Sequence, residues 1–70
     1  MPQRTPQEIV NQTNRLAREF YQHMGNVVKE GYRFDHATHP QERLYWTMAC
    51  AAQEVLTDTD PQNAINELEG

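Results

Sequence analysis

Apolar residues recur along the chain at helical spacing in two long stretches and one short one. In the first, Ile9, Thr13, Leu16, Phe20, Met24 and Val27 follow an i, i+3/i+4 rhythm, and Val10, Ala17, Tyr21 and Val28 widen the stripe. At 100° per residue these positions cover an arc of roughly 140°, as a core-facing amphipathic helix does. Arg15, Arg18, Gln22, Asn26 and Lys29 lie opposite. In the second stretch Leu44, Met48, Ala51, Ala52 and Val55 form the expected inward stripe, with Tyr45, Ala49 and Leu56 on one flank. In the third, Ala64, Ile65 and Leu68 share a face.

Three similar tetrapeptides mark where these stretches begin: Thr5-Pro6-Gln7-Glu8, His39-Pro40-Gln41-Glu42 and Asp60-Pro61-Gln62-Asn63. Proline suits the first helical position, where its missing N–H has no partner to lose and its φ is already helical. Thr5 and Asp60 are good N-caps, and Thr5 with Glu8 has the form of a capping box. His39 is a poorer cap, so Thr38 is expected to share its role. The pattern predicts an all-α fold: an antiparallel helical hairpin of about residues 6–30 and 40–56, plus a short third helix over about 61–69. Gly31 is the expected C′ residue of the first helix. Gly25 is its weak point, since glycine inside a helix costs about 1 kcal/mol against alanine, and a break at Met24-Gly25 is the alternative. Between the long helices, Tyr32 and Phe34 are expected to close one end of the core from a loop.

Composition sharpens this picture. Seventy residues make a single small domain, with residues 1–4 expected to be disordered. Leu, Ile, Val and Phe supply only 12 of 70 positions, about the level at which disorder competes with folding. The net charge of −4 is too small for strong self-repulsion. A helical hairpin this sparse has little core, and dimerisation is the preferred remedy. No run of about 18 apolar residues is present to cross a membrane. The first residues have no apolar signal region, no lipidation motif is seen, and the lone Cys50 suits a reducing compartment. The expected location is the cytoplasm, the chain's own or that of a host cell.

Two surface features stand out. Trp46 and Cys50 lie i, i+4 on the second helix, opposite the Leu44/Met48/Val55 stripe, among Arg43, Gln53 and Glu54. Tryptophan is enriched at interface hot spots, so Trp46, Cys50 and Ala49 form a candidate binding anchor; a third helix folded over Trp46 is the alternative. Charge is also polarised. Residues 1–43 carry all six Lys and Arg against five carboxylates, net +1. Residues 44–70 carry Glu54, Asp58, Asp60, Glu67 and Glu69 with no Lys or Arg, net −5. Such a block steers basic partners, and Asp58, Asp60, Glu67 and Glu69 join the candidate partner contacts.

Catalytic and metal motifs are weak. His36 and His39 are locally spaced like a zinc pair, but His23 and Cys50 converge on them only in a particular packing. Cys50 has no local oxyanion-hole signature. Asp58, Asp60 and Glu69 fall at positions 1, 3 and 12 of a calcium loop whose sixth position is Asn63 where glycine is needed. No P-loop or dinucleotide fingerprint occurs. Glu19 and Glu30 border the Arg15/Arg18/Lys29 stripe, so direct nucleic-acid binding is not expected. The expectation is no enzyme, no metal and no cofactor.

Asn26-Val27-Val28-Lys29-Glu30-Gly31 is similar to the Ser/Thr-x-x-x-Glu-Gly inhibitory helix end of small helical antitoxins of Fic adenylyltransferases. The similarity covers six residues and a loosely alike three-helix layout, with Asn26 in place of Ser/Thr. It implies a toxin enzyme as partner and Glu30 as the functional residue, pairing with an arginine in the toxin's ATP site and obstructing γ-phosphate placement. The leading expectation is a small non-catalytic regulator or inhibitor that binds another protein through a helical surface. The alternatives are an acidic nucleic-acid mimic that inhibits a DNA- or RNA-binding protein, and this antitoxin-like partner.

Overall fold

The computed structural model describes residues 4–70 and is all-α, with three helices and a single 3₁₀ turn. Apart from Arg4, the stretch expected to be disordered lies outside the described residues. Helix α1 is Pro6–His23, α2 is Pro40–Thr57 and α3 is Pro61–Glu69, with the 3₁₀ turn at Phe34–His36 between α1 and α2. The hairpin plus short third helix is therefore the architecture. All three Pro-Gln tetrapeptides start helices, each with proline in the first turn. Thr5 Oγ1 accepts from the Glu8 N–H at 3.2 Å. Asp60 Oδ1 accepts from the N–H groups of Gln62 (3.0 Å) and Asn63 (3.2 Å). His39 caps α2 itself, its Nδ1 accepting from the Gln41 N–H at 3.2 Å.

Helix α1 stops at His23, seven residues before the expected end at Glu30. The reason is Gly25, whose φ of +88° is left-handed. Its N–H donates to the Gln22 carbonyl at 3.0 Å, and the Asn26 N–H donates to the Tyr21 carbonyl at 3.3 Å. This is the paired 5→2 and 6→1 arrangement of a Schellman terminus. Gly25 thus has the C′ role assigned to Gly31, and residues 26–30 lie outside any helix.

The core gathers Val10 and Ala17 of α1, Phe34 of the 3₁₀ turn, Tyr45, Trp46 and Ala49 of α2, and Ala64 of α3. Ile9, Leu16, Phe20, Tyr21, Val28 and Tyr32 pack partly buried against it. The α1 face is the one its periodicity predicts, except that Met24 and Val27 are exposed beyond the early helix end. The connector aromatics close one end of the core as expected. Tyr32 and Tyr21 each meet Phe34 edge-on, with centroids 5.0 and 5.5 Å apart, and Tyr21 meets Tyr45 at 5.0 Å. Asn14 ties this end to α1: its Oδ1 accepts from the Phe34 and Asp35 N–H groups, and its Nδ2 donates to Asp35 Oδ1 at 2.9 Å.

Candidate protein-docking site

Helix α2 is turned over relative to its aliphatic pattern. Leu44, Met48, Ala51 and Val55, expected inside, are exposed, while Tyr45, Trp46, Ala49 and Gln53 are buried. Packing explains the choice. Burying Trp46 and Tyr45 removes 150–250 Å² of ring surface each, more than any aliphatic on the other face. Ala49 and Ala17, both 0% exposed, are small residues in the same core. The polar residue on this face, Gln53, is satisfied: its Nε2 donates to Thr13 Oγ1 at 3.3 Å and Gln12 Oε1 at 3.4 Å, and Thr57 Oγ1 donates to its Oε1 at 3.4 Å. Thr13 in turn donates to the Ile9 carbonyl at 2.7 Å. A buried amide with partners on both helices carries little desolvation penalty, and it fixes the register of α1 against α2.

Trp46, at 2% exposure, and Ala49, at 0%, are therefore core residues and not a surface anchor. Ala64 of α3 joins the cluster that encloses Trp46, as the alternative with the third helix folded back requires. Cys50 is half-buried, and burial, reinforced by the carboxylates of Glu54 and Asp60 against Arg43, pushes its thiol up to about 11. Little thiolate exists near neutral pH, so Cys50 is a weaker nucleophile than a free thiol.

On α2 an exposed apolar stripe with a charged border remains, and Leu56 is exposed beside it on the Tyr45 flank. Leu44, Met48, Ala51 and Val55 are spaced 4, 3 and 4 residues apart, the a/d rhythm of helices that pack against other helices. Val55 is 82% exposed, Leu44 57% and Met48 43%. Large apolar side chains in contiguous exposure mark interaction sites more often than singly scattered ones do. Arg43 stands at the N-terminal end of this stripe, and Glu54 and Asp58 at its C-terminal end.

The acidic residues are exposed as a set: Glu54, Asp58, Asp60, Glu67 and Glu69. Two have local work. Asp60 caps α3, and Asp58 terminates α2 in the left-handed conformation at φ 56°. Glu67 and Glu69 do the opposite of stabilising α3. They sit in its last turn, which has no basic residue, where the helix dipole disfavours negative charge.

The other sequence candidates are scattered. His23, His36 and His39 are exposed, and no three metal-binding side chains come together among the described residues. His36 Nε2 lies 3.3 Å from Asp35, which Arg33 also holds at 2.7 Å. The calcium-loop positions run into α3 at Pro61. Glu30 is exposed in a turn, not at the end of a helix, so the helical frame of the antitoxin motif is absent at that position. Arg18 donates to the Lys29 carbonyl at 3.2 Å, binding part of the basic stripe to the connector. No helix among the described residues is long and apolar enough to cross a membrane.

The fold and surface define a three-helix domain whose middle helix is packed on one side and apolar on the other. No known protein family, curated protein or solved structure matches the chain.

Proposed function

We propose that this chain is a small non-catalytic protein-binding regulator that acts through the exposed face of α2, with the acidic C-terminal segment as a steering border. One observation carries the reading: in a chain with so few large apolar residues, Leu44, Met48 and Val55 are placed outside at heptad spacing. A sequence under pressure only to fold would gain stability by placing such residues in the core, where burial of each contributes. The carboxylates of Glu67 and Glu69, which oppose the dipole of their own helix, favour a contact surface with basic groups. The absence of catalysis is part of the same proposal, supported by the raised thiol of Cys50, and so is a cytoplasmic location, supported by a lone cysteine that suits a reducing compartment.

The test is affinity capture from native lysate with the wild-type chain, Met48→Glu and Val55→Glu, each checked by circular dichroism. Loss of a protein partner with retained helicity supports the reading. Unchanged capture by both folded variants rejects the α2 face as the contact.

A further inference from the structure

We infer that the occupant of the α2 face is a second copy of this chain, docked α2 against α2 in antiparallel orientation about a two-fold axis between Met48 and Ala51. The inference rests on the reading that this face is a protein-docking surface, and it names the partner.

Shape is the first argument. A two-fold axis at that level places residue i opposite residue 99 − i of the other copy. Leu44 then meets Val55 of the second copy, and the large Met48 meets the small Ala51. Large-against-small alternation is what lets facing helix positions interdigitate, and a stripe that complements itself under rotation is what an isologous dimer needs. The stripe runs about 16 Å at 1.5 Å per residue, and its four members point roughly opposite to Trp46 and Gln53. A second copy therefore docks without disturbing the core.

Charge is the second argument, and it selects the orientation. Arg43 and Glu54 border the stripe on the same flank of α2. In the antiparallel arrangement that flank faces its own counterpart. Arg43 then falls about 3 Å along the axis from Glu54 of the second copy on one side, and about 3 Å from Asp58 on the other. Both symmetry-related sets form together. The parallel arrangement carries the two Arg43/Glu54 flanks to opposite sides of the interface, where each faces the uncharged Ala52 flank of the other copy, and it aligns the two helix dipoles unfavourably. Arg43 already donates to the Asp35 carbonyl at 3.4 Å through Nη1, but a guanidinium has five donors and keeps others for a carboxylate.

The stripe is smaller than the roughly 800 Å² per partner of a standard interface, so the association depends on concentration. Sedimentation equilibrium from about 1 μM to about 1 mM reads it directly on the 70-residue chain. The expected result is a mass that rises from the 8.2 kDa of one chain toward twice that value. Met48→Glu and Val55→Glu should hold the chain at 8.2 kDa with its helical signal intact. In an Asp58→Asn background, Arg43→Glu alone and Glu54→Arg alone should each weaken the dimer by about threefold to tenfold, and the double reversal should restore most of it.

A wild-type chain that stays monomeric throughout overturns the inference. So does a dimer that ignores both stripe variants, and so does a double reversal with no rescue, which rejects the antiparallel pairing. A monomeric chain whose lysate partner is lost in Met48→Glu leaves the docking face standing and removes only the second copy. A monomeric chain whose capture is also unaffected removes both.

Discussion

Single residues settle more of this fold than its aliphatic content suggests. Asp35 is an example. Its side chain is 4% exposed, and burial alone would raise its pKa. Hydrogen bonds from Arg33 and Asn14, with the charges of Arg33 and His36, outweigh that and hold it below the usual carboxylate value. Its contribution to stability is thus complete above the unfolded value of 3.8 and is lost as pH falls through the lower folded value. Thermal melts on the acid side should show this loss in the wild type and a flatter limb in Asp35→Asn, which starts less stable near neutrality. Trp46 is the stronger case. Truncating a buried aromatic to alanine costs about 3–5 kcal/mol, against the roughly 3–10 kcal/mol total expected for a chain of this length. Trp46→Ala should therefore lose about a third or more of the unfolding free energy, read as a large fall in the denaturant midpoint. Cys50, with its thiol pushed up to about 11, should alkylate more slowly in the folded chain than in denaturant at pH 8. Equal rates in both states would contradict its burial.

At the scale of elements, the helix starts were legible and one helix end was not. Each Pro-Gln tetrapeptide carries its own cap, so the start is written within four residues. The end of α1 depends on Gly25, which reads equally as a tolerated interior glycine or as a C′ residue. Apolar residues beyond it, Val27 and Val28, continue the helical rhythm and hide the stop. Only the Schellman hydrogen bonds to Gln22 and Tyr21 distinguish the two cases. Because Gly25 is left-handed and a Cβ there meets nothing within 4 Å, Gly25→Ala should cost about 1–2 kcal/mol from backbone conformation alone. Denaturant titration measures it; no loss would mean that the helix can run on. Asp58 invites the reverse experiment. It holds φ 56° at a helix C-terminus with a negative charge. Asparagine tolerates the left-handed region and removes the charge, so Asp58→Asn should stabilise by about 0.3–1 kcal/mol.

For the molecule as a whole, the orientation of α2 decides both the core and the surface, and it was the feature least legible in the sequence. Periodicity identifies a face but not which of two faces turns inward when both are apolar. Leu44, Met48 and Val55 look like a core by hydropathy. Tyr45, Trp46 and Ala49 win because ring area, small-residue packing and the edge-on contacts with Tyr21 are properties of the assembled molecule. The buried Gln53 shows why the polar residues beside Trp46 misled: an amide with partners on both helices is compatible with a core, and its partner Thr13 lies forty residues away. The two orientations make opposite predictions for conservative polar changes. With Trp46 inside, Leu44→Gln and Val55→Gln leave the monomer's unfolding free energy within about 0.5 kcal/mol of wild type each, measured at high dilution so that association does not contribute. With the aliphatic stripe inside, each would introduce an unpaired buried amide and lose a large apolar group, at a cost of several kcal/mol. A large loss at dilution would invert α2 and transfer the docking face to Trp46 and Cys50. Wild-type-like stability, with weakened association only at high concentration, would assign the stripe to binding and the tryptophan to folding.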